Sequence, residues 1–156
     1  MTKLFCIHGN FQTPSVWKPL EENLKVRNVN LDVIPVNLEN YSFDGFDCWV
    51  DDFCNSIENK EVQEKYFLLG YSLGGRLALH ASLHNSNLWQ GMIIVGADPG
   101  LDSEEEKRLQ LDKDRNWAER LKREPLEKLV NEWDAQSVFC GIGNQAPRNL
   151  GEMNPD

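Results

Sequence analysis

The sequence lacks the features that would place the protein in a membrane or on a nucleic acid. No apolar run approaches the roughly 20 residues that a membrane-spanning helix needs. Positive charge is scarce, because 16 Lys and Arg residues face 25 Asp and Glu residues and give a net charge of −9. This balance argues against a nucleic acid or an anionic membrane as a partner. It does not exclude small anionic substrates, because a few local Arg or Lys residues can override the global field.

The chain also lacks the patterns of a secreted or metal-binding protein. Its start, residues 1–8, is too short and turns polar too soon for a signal peptide, so we interpret it as a strand and predict a cytoplasmic protein. The four cysteines have no CxxC spacing, and three of them fall at apolar-patterned positions. We therefore predict buried thiols, with no metal site and no disulfide. The cysteines are Cys6, Cys48, Cys54 and Cys140.

The chain does contain an ordinary share of apolar residues, 40%, arranged in short runs between helical patterns. The runs lack strict alternation, which is typical of strands buried on both faces of a parallel sheet. Helical spacing between them predicts right-handed crossovers and a doubly wound α/β fold with strand order 2-1-3-4. The four runs are Leu4–His8, Val33–Leu38, Tyr66–Tyr71 and Met92–Ala97.

The pattern changes after the fourth run. Ser103-Glu104-Glu105-Glu106 is a capping-box sequence that predicts a charged helix to about Arg123, and a second helix should follow Pro125. Each helix has only a narrow apolar stripe, which is typical of a lid over a site. We predict an α/β core over residues 1–100, a helical lid over 101–140 and an irregular tail over 141–156.

One motif carries chemistry, Gly70-Tyr71-Ser72-Leu73-Gly74. It lies between a predicted strand and a predicted helix, as in the nucleophile elbow of α/β-hydrolase-fold enzymes. Small residues let such a turn close, and the helix N-terminus then points at the serine. Ser72 is therefore the candidate catalytic residue. The alternative is a simple strand-to-helix turn in which Ser72 caps the helix.

Two further segments belong to the same predicted site. His8-Gly9-Asn10 ends the first strand, where an oxyanion loop belongs, so the backbone N–H groups of Asn10 and Leu73 are predicted to face a developing negative oxygen. We interpret His8 as a structural residue beneath this loop. Arg76 lies one helical turn after Ser72 and is either a carboxylate-binding residue or a solvated surface arginine.

The run Gly70–Arg76 resembles the elbow of the menaquinone-pathway enzyme family 2-succinyl-6-hydroxy-2,4-cyclohexadiene-1-carboxylate synthase. Further matches are residues 99–101 and 114–118 and Trp133, so that the resemblance covers about residues 3–140. It implies abstraction of a proton by Ser72, loss of pyruvate and formation of a cyclohexadiene product. It also implies that Arg76 and Tyr71 hold substrate groups, that Trp133 lines the pocket, that the substrate is a small carboxylated molecule, and that no cofactor is needed.

Two features depart from this family. Gln110 stands where the family has a second substrate-binding arginine, with Lys107 and Arg108 nearby as substitutes. Residues 37–42 also lack the Pro-Gly-His-Gly type of loop.

The triad acid and histidine of this fold follow the serine in the chain, and no strands are predicted after the lid to carry them. His80 and His84 lie on the helix that Ser72 opens, and neither reaches the serine. We therefore expect a truncated, inactive chain whose last strand edge is completed by a homo-oligomer or by a missing C-terminal segment.

Three functions remain open. The first is the lyase activity, residing in the complete protein. The second is a carboxylesterase or thioesterase that uses Ser72 as a covalent nucleophile. The third is a non-catalytic hydrolase-fold fragment that binds a ligand or partner.

Overall fold

Four parallel strands form one sheet in the computed structural model, which describes residues 2–42, 44–58, 64–139, 151 and 153. The strand order β2-β1-β3-β4 confirms the predicted order. The strands and α-helices are β1 Thr2–Ile7, α1 Lys18–Val26, β2 Asp32–Val36, α2 Phe46–Glu58, β3 Lys65–Tyr71, α3 Leu73–His84, β4 Trp89–Val95, α4 Glu104–Leu121 and α5 Leu126–Asp134. By their contacts, residues 1–99 and 100–156 form two compact units, which are described separately.

Helices cover both faces of the sheet in the first unit, so the fold is doubly wound as predicted. On one face, Leu4 and Val33 pack with the apolar side of α1, which carries Leu20 and Leu24. The opposite face packs against α2 and α3 and is rich in aromatic rings. Phe5 lies at the centre of that face, with its ring edge-on to three aromatic neighbours at centroid distances of 5.7–5.9 Å. These neighbours are Phe53, Tyr66 and Trp89.

The last strand differs from its prediction in two ways. It begins at Trp89, three residues before the predicted start, because the Trp89 ring is buried against Phe5 and its Nε1 donates to the Ala81 carbonyl at 3.1 Å. It is also not buried on both faces, since 45% of Met92 and 56% of Ile93 are exposed. The expectation of two-sided burial is therefore wrong for β4, which is the terminal strand of the sheet.

The cysteine prediction holds for two residues. Cys6 and Cys54 are buried thiols, and burial raises the pKa of Cys6 to about 12. Cys48 is a free thiol too, but it is exposed because it lies on the solvent side of α2, next to the exposed Asp47. Cys140 lies outside the described residues.

The second unit contains the two predicted helices. Ser103 caps α4 and forms the complete capping box with Glu106. Trp117 of α4 and Trp133 of α5 meet edge-on at 5.3 Å between ring centroids. Most of the predicted tail lies outside the described residues. None of the helices in the described part of the chain is long and apolar enough to span a membrane.

Candidate active site

Ser72 joins β3 to α3 through a backbone conformation that is rare for a residue with a side chain. Its φ is 55° and its ψ is −118°, and a non-glycine residue held at positive φ is a marker of strain at functional turns. The Ser72 N–H donates to the Val95 carbonyl at 2.9 Å, which ties the turn to the end of β4. The Ser72 carbonyl accepts from Gly75 and Arg76 in the first turn of α3. The strained turn is thus held from both sides.

Two glycines make this turn sterically possible. A Cβ on Gly74 would overlap the backbone carbonyls of Ile7 and His8 at the end of β1, and a Cβ on Gly70 would overlap the backbone of Gly74. The start of α3 therefore lies directly against the end of β1. This close approach is the physical reason for glycine at both positions of the motif.

The Ser72 hydroxyl does not cap the helix. Ser72 occupies the N-cap position of α3, but its side chain makes no cap hydrogen bond, whereas Ser103 at the equivalent position of α4 accepts from the Glu106 N–H at 3.2 Å. The alternative interpretation of Ser72 as a helix-capping serine is therefore wrong. The half-buried hydroxyl is left available for another role.

The loop after β1 lies against the elbow. A Cβ on Gly9 would lie 3.1 Å from Ser72 Cβ, so Asn10, the next residue, is at the same end of the sheet as Ser72. Leu73 is the first residue of α3, and the first N–H groups of a helix have no acceptor within it. The structure thus brings the two segments of the predicted oxyanion pair together. Their role in binding an oxyanion stays a prediction.

Gln12 holds this loop, and sequence reasoning missed it. Its side chain is buried, and its Oε1 accepts a hydrogen bond from the Gly9 N–H at 2.9 Å. Phe11, between them, has a φ of 53°. The only sequence signal was a polar residue three positions after the glycine, which is too common to identify such a contact.

His8 has the structural position that the sequence predicted. It is buried, and its Nδ1 donates to the Gly9 carbonyl at 3.0 Å, while Nε2 has no hydrogen-bond partner among the described residues. Burial lowers the pKa of His8 below the usual value for histidine, although the hydrogen bond to Gly9 and the charge of Glu39 oppose this shift. The His8 ring makes no hydrogen bond to Ser72, so it does not serve as its base in this arrangement.

The other two histidines of the chain face α2. His80 Nδ1 lies 3.8 Å from an oxygen of Asp47, and His84 Nε2 lies 3.2 Å from an oxygen of Asp51. His80 is also displaced about 12 Å along the axis of α3 from Ser72, since each helical residue rises about 1.5 Å. Both histidines therefore lie outside the reach of the Ser72 hydroxyl.

Arg76 is exposed and stacks on an aromatic ring. Its guanidinium carbon lies 4.8 Å from the centroid of the Phe46 ring, and no ion pair found within the described residues involves it. Phe46 also contacts the His80 ring edge-on at 5.1 Å. Phe46 is the first residue of α2, and nothing in the sequence pattern revealed its contact with Arg76.

Tyr71 lies between two glycines at the carboxyl end of the sheet. A Cβ on Gly9 would lie 3.2 Å from its Cδ1, and a Cβ on Gly96 would lie 3.5 Å from its Cε2. The Tyr71 ring is thus flanked by the loops after β1 and β4. This half-buried ring is adjacent to Ser72, as the substrate-binding prediction requires.

The remaining predicted site residues belong to the second unit. Trp133 packs on Trp117. Gln110 donates to Asp114 at 2.7 Å, so the residue in the expected arginine position is engaged within α4. Its two predicted substitutes also have partners on the same helix. Lys107 pairs with Glu104 at 2.7 Å, and Arg108 with Asp112 at 3.8 Å.

The described parts of the chain contain no group of three or more His, Cys, Asp or Glu side chains that could hold a metal ion. The first unit offers a serine hydroxyl at the N-terminus of α3, beside the first N–H group of that helix and within one helical turn of a guanidinium. Such a set can stabilise a developing negative charge and hold a carboxylate.

Comparison with known proteins gives one family and several named relatives. The profile of the family described as alpha/beta hydrolase fold matches residues 4–138. A Haemophilus influenzae protein, provisionally named 2-succinyl-6-hydroxy-2,4-cyclohexadiene-1-carboxylate synthase, is 35% identical over 97% of this chain and 64% of its own length. A Serratia proteamaculans protein with the same enzyme name is 44% identical over 51% of this chain and 31% of its own. The chain thus spans less than two thirds of these relatives.

Solved structures show the same fold. The structure of MenH from S. aureus superposes with a TM-score of 0.76 at 23% identity, over 89% of this chain and 54% of that chain. Polyneuridine aldehyde esterase superposes with a TM-score of 0.54 at 18% identity, over 72% and 48% of the two chains. At these identities the likeness extends to the fold alone.

Proposed function

Because the chain belongs to the α/β-hydrolase fold family and the relatives named above are enzymes, we propose that it contributes the serine-bearing part of a lyase. The proposed reaction is that in the names of the Haemophilus and Serratia relatives, the formation of 2-succinyl-6-hydroxy-2,4-cyclohexadiene-1-carboxylate. In the full-length protein, a triad histidine takes the proton of the Ser72 hydroxyl, and the Ser72 alkoxide removes a proton from the substrate. The resulting carbanion expels pyruvate as its enolate, which is protonated on release. The activity is proposed for the full-length protein.

The observation that carries the proposal is the state of Ser72. Its backbone is strained, its hydroxyl caps no helix, and the end of β1 is packed directly against it. Strain retained at a residue whose side chain makes no cap hydrogen bond supports a chemical role for that residue. Helix N–H groups beside the hydroxyl favour an oxyanion at the same place.

Arg76 supports a carboxylated substrate. Its guanidinium is supported on one side by the Phe46 ring, an arrangement that orients the planar fork without occupying its N–H donors. Since no acidic side chain of the described residues neutralises it, a substrate carboxylate can. Tyr71 and Trp133 are proposed as further contacts of the substrate, and Asn10 and Leu73 as donors to the oxyanion.

The second candidate is a carboxylesterase or thioesterase that uses Ser72 as a covalent nucleophile. Gln110 favours this second candidate, because a neutral glutamine stands where a site for a multiply carboxylated substrate is expected to have a cation. Its side chain is bonded to Asp114. The third candidate is a ligand-binding fragment without catalysis. It is favoured by the positions of His8, His80 and His84, none of which bonds to Ser72.

Arg76→Ala separates the lyase from the esterase in the full-length protein. A charged, bidentate hydrogen-bond pair contributes about 1.5–3 kcal/mol, so kcat/KM for the carboxylated substrate should fall roughly ten- to a hundredfold. Hydrolysis of a small neutral ester should be nearly unchanged. Arg76→Lys should recover only part of the loss, because an ammonium group does not reproduce the guanidinium fork.

Arg123→Ala is the matched control, since Arg123 is an exposed arginine paired with Glu119 on α4. It should leave both reactions unchanged. Equal losses for both substrates in Arg76→Ala would mean that Arg76 only maintains the elbow, and no loss in either would make it a surface residue. Ser72→Ala should abolish the lyase reaction; full activity in that variant would exclude Ser72 as the base.

A further inference from the structure

The contact between α2 and α3 carries four polar side chains that the proposed reaction does not use. His80 and His84 of α3 each face an aspartate of α2, Asp47 and Asp51 respectively. The side chains of the two histidines are 46% and 45% exposed, so both are open to solvent. The structure describes both helices and the strands on which they pack, so these four residues lie between described elements.

The two histidines have the spacing of a metal chelate on a helix. Residues four apart in a helix lie on one face, with Cβ atoms about 5–6 Å from one another. Two histidines at this spacing supply two of the zinc ligands in the His-Glu-x-x-His motif of metalloproteases. His80 and His84 have the same spacing and both lie within α3, so the helix presents both rings to one point in the solvent.

Each of the two rings has one nitrogen beside a carboxylate and one nitrogen without a partner. His80 Nδ1 lies 3.8 Å from an Asp47 oxygen, and His84 Nε2 lies 3.2 Å from an Asp51 oxygen. The other nitrogen of each ring makes no hydrogen bond or ion pair with the described residues. Metal-binding histidines have this arrangement, because a carboxylate at one nitrogen orients the ring while the other nitrogen binds the ion. The Phe46 ring, edge-on to His80 at 5.1 Å, also restricts that ring.

We propose that His80 and His84 together bind one divalent transition-metal ion, of the class of Ni²⁺ or Zn²⁺, on the exposed face of α3. Imidazole is a preferred ligand of these ions, and water completes the coordination because only two protein nitrogens take part. Asp47 and Asp51 orient the rings without binding the ion, so the site needs no group of three ligating side chains, and the described residues contain none. The two carboxylates and the net charge of −9 favour a cation.

The ion would act on the stability of α3 and not on the reaction. The two rings face one point only while the segment between them is helical, so the folded chain binds the ion and the unfolded chain does not. An ion that binds only the folded chain stabilises it by mass action. Since His80 is displaced about 12 Å from Ser72 along the axis of α3, this inference does not rest on the proposed function.

Isothermal titration calorimetry with Ni²⁺ on the 156-residue chain tests the proposal. Ni²⁺ is the probe because imidazole suits it, whereas thiolates select softer ions. We expect one ion per chain, and a dissociation constant that rises at least about tenfold in His80→Ala and in His84→Ala. The third histidine of the sequence, His8, is buried. The absence of saturable binding, or binding that neither variant weakens, would overturn the proposal.

Two neighbouring aspartates of α2 provide a matched pair of variants. Asp51→Ala should weaken Ni²⁺ binding roughly ten- to a hundredfold, which is the usual cost of removing the outer partner of a metal ligand. Asp52→Ala makes the same change of charge one residue along, but the Asp52 carboxylate accepts from the Ser42 N–H, so the affinity should be nearly unchanged. Equal losses in the two variants would contradict the role of Asp51 in orienting His84.

The spacing can be tested without changing the number of histidines. His84→Ala combined with Asn85→His keeps three histidines, but places the second one five residues after His80 and on a different face of the helix. This double variant should bind Ni²⁺ no better than His84→Ala, and wild-type affinity would contradict the chelate. Cys48→Ser should bind as the wild type does, although Cys48 is an exposed thiol of α2. Loss of binding in Cys48→Ser would place the site on that thiol.

NMR and thermal unfolding provide readouts that do not depend on calorimetry. Paramagnetic Ni²⁺ should broaden the amide signals of residues 80–84 first and leave those around the buried His8 sharp. The melting temperature of the wild type should rise with Ni²⁺, whereas that of His80→Ala should not. Broadening centred on any other segment, or an equal rise in both proteins, would overturn the assignment. The same differences are expected in any longer protein that contains this chain, because both histidines and both aspartates lie within it.

Discussion

At the scale of single residues, the loop beside Ser72 depends on one amide. Gln12 Oε1 accepts from the Gly9 N–H, and both residues are buried. A buried donor that loses its acceptor costs about 1–3 kcal/mol, which is more than the net contribution of the bond itself. Gln12 therefore determines how firmly the segment preceding Asn10 is held against the elbow.

Gln12→Met should loosen this loop selectively. It keeps a side chain of similar length but removes the acceptor, so the Gly9 amide should exchange its hydrogen roughly 5- to 150-fold faster, which corresponds to the cost of about 1–3 kcal/mol. Amide hydrogen exchange followed by NMR measures this directly. Gln110→Met, at an exposed glutamine of α4, is the control and should leave Gly9 unchanged. An unaltered Gly9 exchange rate in Gln12→Met would show that the hydrogen bond does not hold the loop.

At the scale of secondary-structure elements, α4 and α5 are joined by a charged cluster. Arg120 of α4 pairs with Glu124 at 2.6 Å and also with Glu132 of α5. Its guanidinium carbon lies 5.0 Å from the centroid of the Trp117 ring, and Lys128 pairs with Glu124 at 2.7 Å. The hydrogen bond from Arg120, assisted by that from Lys128, lowers the pKa of Glu124 to about 2.

This shift gives the helix pair a specific response to acid. A carboxyl group whose pKa is lower in the folded state than in the unfolded state stabilises the fold fully above the unfolded pKa. The contribution is lost as the pH falls through the folded pKa, so the window runs from about 4.5 to about 2. Amides of α5 should therefore lose exchange protection in this window more steeply in the wild type than in Glu124→Gln.

Glu119→Gln is the control for the acid response. Glu119 pairs with Lys122 and Arg123, but its side chain is 51% exposed against 26% for Glu124, and exposed pairs contribute little because solvent screens them. It should leave the acid profile close to that of the wild type. Equal profiles for the wild type and Glu124→Gln would mean that the cluster does not hold the helices together.

At the scale of the whole molecule, no histidine of the described residues bonds to the serine of the elbow. All three histidines of the sequence are among the described residues, and their ring nitrogens contact Gly9, Asp47 and Asp51 but not Ser72. A general base must approach within about 2.6–3.2 Å of the hydroxyl whose proton it removes. A partner copy would bring only the same three histidines.

The purified 156-residue chain should therefore show no turnover that depends on Ser72. Loss of triad members costs a factor of about 10⁴ or more in related chemistry. The measurement compares the wild type with Ser72→Ala on the carboxylated substrate and on a neutral ester, and the two proteins should give the same background rate. Robust turnover that disappears in Ser72→Ala would show that His8 moves to serve as the base, which its free Nε2 would then explain.

The sequence alone determined the local features. The capping box at Ser103 and the turn at Ser72 follow from short-range patterns, because each reflects residues within a few positions of one another. Glycines at positions 70 and 74 also indicated a turn that can close sharply, whereas the close approach of α3 to β1 came from the structure. The alternation of strands and helices then left few topologies to choose from.

Only the tertiary structure decided which side chains contact the loop, the elbow and the arginine beside it. Gln12 supports the loop, Phe46 supports Arg76, and Met92 and Ile93 of β4 are partly exposed. The Phe46 contact joins residues 30 positions apart, and the exposure of β4 follows from its place at the end of the described sheet. The Gln12 contact is short in sequence but depends on the positive φ of Phe11. Hydrophobic periodicity indicates which face of a segment is buried. It does not indicate which side chains of other segments pack on that face, because this depends on how the elements cross in space.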